Sequence, residues 1–476
     1  MTFDSDAPKP LVLDVDGTFL KTDMLLESFW QALGRRPLAC LSACARNLTD
    51  RAALKRELAE LAELRVDLLP VNPDLAELAR QSRKRGRPVV LASGSDESLV
   101  TALAREHGIE APVFASDGRT NLTGRRKADR LIGAFGEGGF DYAGDGPVDR
   151  PVWEAAENAI IVGDHPQLAR ALARGGTNVE EFGGGWHLRD LLRALRPHQW
   201  VKNVLLFLPL IAAHRFDLAG FLIVLYAAIA FSLAASTIYI VNDLLDLEAD
   251  RLHPTKRNRP FASGAVPISV GMGVALFTGA FALGMAAAIS WPMLGIVSLY
   301  MTLSLAYSLR LKRLRWVDIA TLAGLYTLRV IAGAVAAKVV ASGFLVAFIF
   351  PTFIALGCVK RLTELTLAKS DERLPGRGYG RADRGDLLNV AVLGITGSLL
   401  TFFLYSFTEA ADALYPNVWQ LWLALIPLAA WQIRMVLLGW RGKQDYDPIV
   451  FAMRDKYGLA LIALMLTVMF TAADGG

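Results

Sequence analysis

The stretch Ile238-Tyr-Ile-Val-Asn242-Asp243-Leu-Leu-Asp246-Leu-Glu-Ala-Asp250-Arg-Leu-His-Pro-Thr-Lys256-Arg257-Asn-Arg259-Pro260 decides how the rest of the chain is read. It closes a long apolar run, turns acidic and then turns basic. Asp243, Asp246 and Asp250 are spaced three and four apart, so on a continuing helix they share one face. Asn242 adds a neutral oxygen beside them. Carboxylates gathered on one face repel one another unless a cation lies between them, and hard oxygen donors suit Mg²⁺. Lys256, Arg257 and Arg259 follow closely enough to grip the phosphates such a cation carries. The competing explanation is a solvated helix end with ordinary surface charge. Acidic clusters at the mouth of a membrane helix are more often functional.

The chain has 476 residues, more than one ordinary domain holds. Hydrophobic residues make up 53%, and the mean hydropathy of +0.35 points to a membrane protein. Those residues are unevenly spread: the chain reads as a mixed soluble protein up to about Arg196, and long uncharged runs dominate beyond it. The net charge of +4 says little, and the placing of the basic residues matters more. Cys40, Cys44 and Cys358 have neither zinc nor disulfide spacing and read as buried small side chains. The segment Met1–Pro10 is polar, without the apolar core of a secretory signal, so the first domain is expected in the cytosol.

Leu11-Val-Leu-Asp14-Val-Asp16-Gly-Thr is a short apolar strand ending in two aspartates. In an open α/β sheet, catalytic groups gather at the carboxyl ends of strands. Asp14 there is placed to attack a phosphoryl group, and Asp16 to move a proton at the leaving oxygen. Pro88-Val-Val-Leu-Ala-Ser93-Gly-Ser offers a hydroxyl and backbone amides to phosphate oxygens. Lys127 can pair with nucleophile and phosphate, and Asp145 and Asp149 form a second acid pair suited to Mg²⁺. These four elements, in this order over roughly residues 8–180, resemble the haloacid dehalogenase (HAD) phosphatase superfamily. The resemblance implies a doubly wound α/β fold with Asp14 as nucleophile, Asp16 as acid and base, and Ser93 and Lys127 on phosphate. It also implies one Mg²⁺ on Asp145 and Asp149, completed by Asp14 and Asp16. The Leu- and Ala-rich stretch 23–75 has helical periodicity and looks like this superfamily's helical cap. The alternative is a degenerate domain kept as scaffold. The Gly-rich stretch Ala173–Trp186 reads as a linker region, and Leu188–Arg196 as an amphipathic helix on the membrane surface.

Nine apolar segments follow, near 203–214, 218–241, 267–290, 292–309, 316–338, 343–359, 388–408, 417–439 and 457–473. The basic residues fall after the even-numbered ones: Arg251 to Arg259, Arg310 to Arg315 with Lys312, Lys360 to Arg384 including Lys369 and Arg373, and Arg441 to Lys456. By the positive-inside rule those loops face the cytosol, which leaves the C-terminus outside a multi-pass protein of the bacterial inner membrane.

Asn242-Asp243-x-x-Asp246-x-x-x-Asp250 at the end of the second of nine helices looks like the UbiA superfamily of intramembrane prenyltransferases, over about residues 190–476. Members that prenylate aromatic acceptors carry a second aspartate-rich motif after helix six, where this chain has Lys360-Arg361-Leu-Thr-Glu364. With Arg196-Pro-His-Gln-Trp-Val-Lys202-Asn and Ile449-Val-Phe-Ala-Met-Arg-Asp455, that departure resembles the decaprenyl-phosphate phosphoribosyltransferases. The resemblance implies transfer of 5-phosphoribose from 5-phosphoribosyl 1-diphosphate to a polyprenyl (decaprenyl-like) phosphate. Mg²⁺ on Asn242, Asp243, Asp246 and Asp250 would hold the leaving diphosphate. Lys360 and Arg361, with Glu364 beside them, would position the lipid phosphate, and Lys202, Lys256, Arg257, Arg259 and Lys312 would hold the other phosphates. The product would still carry a 5-phosphate, which a fused HAD phosphatase is placed to remove, as cell-envelope pentose synthesis requires. The expected organisation is a HAD-like domain over 1–185, a linker and interfacial helix over 186–200, and an all-α transferase over 201–476. The expected partners are the membrane and these two substrates, with no nucleic acid and with homo-oligomerisation left open. The alternatives are prenylation of an aromatic, quinone-type acceptor beside a HAD domain of unrelated or structural role, and a transporter. The absence of charge pairs deep in the spans disfavours transport.

Overall fold

The computed structural model describes residues 8–368, 377–444 and 447–473. Of the expected cytosolic basic residues, Lys369 and Arg373 lie outside the described ones. The chain divides into two compact units, Met1–Leu195 with Tyr239–Val274, and Arg196–Ile238 with Ala275–Gly476.

Six strands make the sheet of the first unit: β1 (Leu11–Leu13), β2 (Val89–Asp96), β3 (Phe114–Ser116), β4 (Asp141–Gly144), β5 (Asn158–Val162) and β6 (Asn178–Phe182). All neighbours are parallel, in the order β3-β2-β1-β4-β5-β6. Successive side chains of a strand point to opposite faces. Leu11, Leu13 and Val15 accordingly join one core with Leu75, Leu99 and Leu103, while Val12 joins another with Leu131, Val152 and Trp153. A sheet covered on both faces needs apolar strands, which is how β1 and the first half of β2, Val89 to Ala92, read. The order runs outward from β1 in both directions, so the ends of β1 and β4 flank the crevice where such sheets bind ligands.

After Leu20 the chain leaves the sheet for three helices, Met24–Arg35, Pro37–Arg46 and Arg51–Ala62, and returns at Val71, which bridges Leu20. Each helix starts where local chemistry favours it. Asp23 accepts from the Leu26 amide, Pro37 opens its helix, and Asp50 accepts from the Ala52 and Ala53 amides. The Gly-rich stretch expected as linker contains β6, paired with β5 through five residues. Its Asn and Glu side chains suit a half-exposed edge strand and hide it from a search for apolar runs. Leu188–Ala194 forms the expected short helix.

Among the described residues, eight helices are long and apolar enough to cross a membrane, where nine segments were expected. They are Leu218–Leu245, Ile268–Ile289, Trp291–Leu309, Val317–Ala337, Gly343–Leu367, Arg381–Tyr405, Trp419–Trp440 and Lys456–Ala473. The expected first span near 203–214 is instead a 3₁₀ segment, Pro197–Phe207, followed by the short helix Leu208–Ala212. Pro209 lacks the amide hydrogen that a continuous α-helix would use there, and its ring disfavours helical backbone just before it. Gly343–Leu367 runs about two turns past its expected end and carries Lys360, Arg361 and Glu364 inside the helix. Small residues let neighbours approach closely: a Cβ on Gly394 would lie 2.7 Å from the Pro351 carbonyl oxygen.

Candidate active sites

Asp14 follows β1, and its amide donates to the Ala143 carbonyl in β4 at 2.9 Å, which fixes the two strand ends side by side. Lys127 Nζ donates to Asp14 Oδ1 at 2.9 Å, to Asp149 Oδ1 at 3.1 Å and to the Tyr142 hydroxyl at 2.8 Å. The Tyr142 hydroxyl donates in turn to Asp149 Oδ1 at 2.8 Å. Carboxylate oxygens of Asp14, Asp145 and Asp149 lie within 4.8 Å of one another, a donor set that suits a hard divalent cation. Asp16 lies outside this trio. Its Oδ1 accepts from the Met24 amide at 2.8 Å, and its Oδ2 accepts from the Ser93 and Ser95 hydroxyls at 2.9 and 2.7 Å. Gly17 has φ +77°, and a Cβ there would overlap the Asp145 carboxylate, so glycine is required at this turn.

Burial, then the like charges of Asp149 and Asp16, pushes the Asp145 carboxyl up to about 7. Burial alone would favour loss of the Lys127 proton, but Asp14 and Asp149 hold its pKa above the ordinary value.

In the aspartate motif the helix Leu218–Leu245 stops short of Asp246, whose φ of −102° and ψ of 15° break it before Leu247–Leu252 begins. The three aspartates therefore do not share one unbroken helical face. Arg259 folds back instead, and its Nη1 donates to Asp243 Oδ1 at 3.0 Å and to Asp250 Oδ2 at 2.7 Å. The Asn242 Oδ1 atom, one residue before Asp243, is buried, with no hydrogen-bond donor among the described residues. A buried carbonyl oxygen left unmatched is costly. The oxygens of Asp243, Asp250 and Asn242 are donor types that suit Mg²⁺, and Arg259 bridges the two carboxylates. Burial pushes the Asp250 carboxyl up to about 6, against the pull of Arg259. Lys256 and Arg257 are exposed in the turn Lys256–Asn258.

In the second unit, Lys202 pairs with Asp447, which also caps the helix Pro448–Ala452 through the Ile449 and Val450 amides at 3.2 and 3.3 Å. Burial raises the Asp447 carboxyl, but Lys202 and Lys360 together hold it below its ordinary value. Arg361 is fully buried. Its Nε donates to Asp318 Oδ2 at 2.6 Å, and its Nη2 to Asp318 Oδ1 at 2.9 Å and to the Tyr307 hydroxyl at 3.0 Å. Glu364 takes its Nη1, and Arg377 reaches the same hydroxyl at 3.0 Å. The guanidinium fork is thereby spent on protein groups, which makes Arg361 an anchor of its helix. Lys312 lies in the turn Leu311–Arg313.

Several residues here escaped the reading of the sequence. Asp318 and Arg329 are single charges in an apolar run, a visible signal. Arg329 is buried midway along Val317–Ala337, donating to Asn203 Oδ1 at 3.0 Å and to the Tyr300 hydroxyl at 2.9 Å, with the rings of Tyr300 and Tyr326 beneath it. Asp447 shows as a helix cap before a proline. Tyr142 gives no signal in a strand.

Two expectations follow. Asp145, raised in the fold, keeps a proton that the unfolded chain gives up, so the metal-free first unit loses stability as pH rises from about 4 through 7. A divalent cation must displace that proton. In an Asp243→Asn, Asp250→Asn background, which silences the aspartate loop, added Mg²⁺ should therefore raise the unfolding midpoint at about pH 8 and hardly at about pH 5.5, and Asp145→Asn should remove the difference; an equal gain at both pH values refutes this. Separately, Arg361→Ala should cost about 3–5 kcal/mol, because it strands a buried Asp318. The paired Arg361→Met, Asp318→Leu variant should recover most of that in a denaturation titration. If both variants match the parent, Arg361 is no anchor.

Residues 204–453 match the UbiA prenyltransferase family. The chain is 34% identical to the y4nM protein of Sinorhizobium fredii, over 98% of this chain and 92% of that one. It is 34% identical to the decaprenyl-phosphate phosphoribosyltransferase of Mycobacterium tuberculosis, over 58% of this chain and 90% of that one. For the N-terminal part, a HAD family hydrolase of Salmonella enterica is a structural neighbour at 17% identity and TM-score 0.26, covering 34% of this chain and 68% of that one. The family match takes in the first seven of the eight apolar helices and the short connections between them, and the chain is accordingly a polytopic membrane protein of the UbiA prenyltransferase family.

Proposed function

We propose that this protein transfers 5-phosphoribose from 5-phosphoribosyl 1-diphosphate to a polyprenyl phosphate, and that its HAD-like half then removes the 5-phosphate. The convergence of Asp243 and Asp250 on Arg259, together with the unmatched oxygen of the preceding Asn242, carries the first step. The similarity to an enzyme named decaprenyl-phosphate phosphoribosyltransferase supports the substrate pair. Asn242, Asp243, Asp246 and Asp250 would hold Mg²⁺, which when bound neutralises charge developing on the leaving diphosphate. Arg259, Lys256 and Arg257 then face the diphosphate oxygens. Lys202 and Lys360 share Asp447 and orient the lipid phosphate. A lipid phosphate oxygen attacks C1 of the ribose as the C1–O bond to diphosphate breaks, through an oxocarbenium-like state.

In the second step a carboxylate oxygen of Asp14 attacks the 5-phosphate, and Asp16 gives its proton to the departing ribose oxygen. Water, deprotonated by Asp16, then cleaves the aspartyl phosphate. Ser93 holds Asp16 in place, and Lys127 opposes both the phosphate charge and the burial that raises the Asp14 carboxyl well above its ordinary value. Asp145 and Asp149 would complete a second Mg²⁺ site.

We place the N-terminal half in the cytosol at the bacterial inner membrane, with the C-terminus outside. That requires Pro197–Ala212 to cross the hydrocarbon. At about 2.0 Å per residue for a 3₁₀ segment and 1.5 Å for an α-helix, a collinear segment of this length reaches roughly 30 Å, about a bilayer core.

Purified protein, Mg²⁺, polyprenyl phosphate and labelled 5-phosphoribosyl 1-diphosphate should give a dephosphorylated ribosyl lipid. Asp14→Asn should stop at the phosphorylated lipid, and Asp243→Asn should reduce transfer by at least about 100-fold. An unchanged product pattern in Asp14→Asn sinks the second step, and failure to form any ribosyl lipid sinks the first. For orientation, an alkaline phosphatase fused after Gly476 should be active and one fused after Leu195 inactive; the reverse pattern overturns the topology.

A further inference from the structure

Within the first compact unit, the aspartate loop is held by a residue of the HAD-like domain. Arg251 follows Asp250 directly, and its guanidinium meets the Glu27 carboxylate in a two-pronged pair, Nη1 to Oε2 at 3.0 Å and Nη2 to Oε1 at 2.5 Å. Both side chains are almost wholly buried, at 7% and 2% exposure. Glu27 lies on the helix Met24–Arg35, the first helix after the Asp14–Asp16 strand. The remaining groups close the arrangement: the Thr22 hydroxyl donates to Glu27 Oε1 at 2.7 Å, and Arg251 Nε donates to the Ala262 carbonyl at 3.0 Å.

The contact is broader than one pair. On the same helix Gln31 and Arg35 both bond Glu248, Arg35 at 3.0 Å. A Cβ on Gly34 would come within 3.6 Å of the Leu245 carbonyl oxygen. At the far end of the loop Gly264 has φ +70°, and a Cβ there would lie 2.6 Å from that of Lys21, so the backbones meet where only glycine fits. Residues 245–264 are thus seated on residues 20–35 at both ends, and the buried pair lies between.

We propose that Glu27 is a positioning residue for the transferase: through Arg251 the HAD-like domain sets the loop in which Asp243, Asp250 and Arg259 converge. This is separate from any phosphatase chemistry of that domain, because Glu27 touches none of Asp14, Asp145 or Asp149. A bidentate guanidinium–carboxylate pair fixes angle as well as distance. Taken out of water, it tolerates the loss of neither partner. The inference rests on the metal reading of the aspartate loop given above.

Two readouts in full-length protein test it, neither dependent on turnover. The first is trypsin cleavage at the exposed Lys256 and Arg257. The second is Mn²⁺ binding followed by electron paramagnetic resonance, in an Asp145→Asn, Asp149→Asn background that leaves the aspartate loop as the site observed. Glu27→Gln and Arg251→Gln should each speed cleavage and weaken Mn²⁺ binding by about tenfold, the size usual for losing a group that orients metal ligands. The exchanged pair Glu27→Arg, Arg251→Glu should bring both readouts back to within about threefold of the parent, which a domain that had simply unfolded would not do. Unchanged cleavage in Glu27→Gln overturns the proposal, as does an exchanged pair no better than the single variants. Faster cleavage with unchanged Mn²⁺ affinity overturns the positioning of the metal ligands. If the parent binds no Mn²⁺ in this background, the metal reading of the loop falls, and cleavage alone then decides whether Glu27 anchors it.

Discussion

Two carboxylates a few ångströms apart and out of water cannot both stay ionised unless a cation lies between them. This constraint shapes three places in the chain. Lys127 lies between Asp14 and Asp149, Arg259 between Asp243 and Asp250, and Arg361 between Asp318 and Glu364. Each cation ties distant pieces of backbone together. Lys127 brings the helix Arg125–Phe135 to the strand ends, Arg259 turns its loop back toward the helix before it, and Arg361 joins two long apolar helices. The three differ in what surrounds them. Asp145 adds a further carboxylate beside the first, and the unmatched Asn242 oxygen precedes Asp243 at the second, donors that suit a further cation. Around Arg361, Tyr307 and Arg377 close the shell, which leaves a structural joint.

Arg329 follows the same rule by another route. Its charge is spread over the Leu325 carbonyl, the Asn203 side chain, the Tyr300 hydroxyl and two aromatic faces. Asn203 also donates to Ser232 at 2.8 Å, and Trp200 donates to Ser236 at 3.0 Å. These bonds hold the irregular segment Pro197–Ala212 against the long helices. Backbone without α-helical regularity survives in apolar surroundings only where protein groups enclose it. Gly333 supplies the room, since any side chain there would overlap the Leu206 carbonyl.

How far the sequence could be read follows from the same physics. Asp14, Ser93, Lys127 and Asp145 were legible because they end apolar strands or open a helix in a recognisable order. The aspartate motif was legible as a composition, but its geometry was not. Spacing alone suggests one helical face, whereas the break at Asp246 and the return of Arg259 are tertiary effects. The strand Asn178–Phe182 was hidden because an edge strand needs few apolar residues. The true end of Gly343–Leu367 was hidden because Lys360, Arg361 and Glu364 look like a helix leaving the membrane, until Asp318, 43 residues earlier, supplies the charge that lets the helix continue. Partners so far apart leave no local trace in either segment. The six-stranded core needed none, since alternation along β1 already assigns its side chains to two faces.

The separation of Glu27 from Arg251 has a consequence in time. The two residues are 224 positions apart. At 5–20 residues per second a ribosome needs roughly 10–45 s to add the second after the first. For the last part of that interval, after Phe182 is made, the strands of the first domain have all their own sequence, but the carboxylate of Glu27 has no guanidinium to meet. The helix Leu218–Leu245 must also have entered the membrane before Arg251 can arrive. Closure of this contact therefore follows folding of the six-stranded sheet, and it can precede synthesis of the seven apolar helices that begin at Ile268 and beyond.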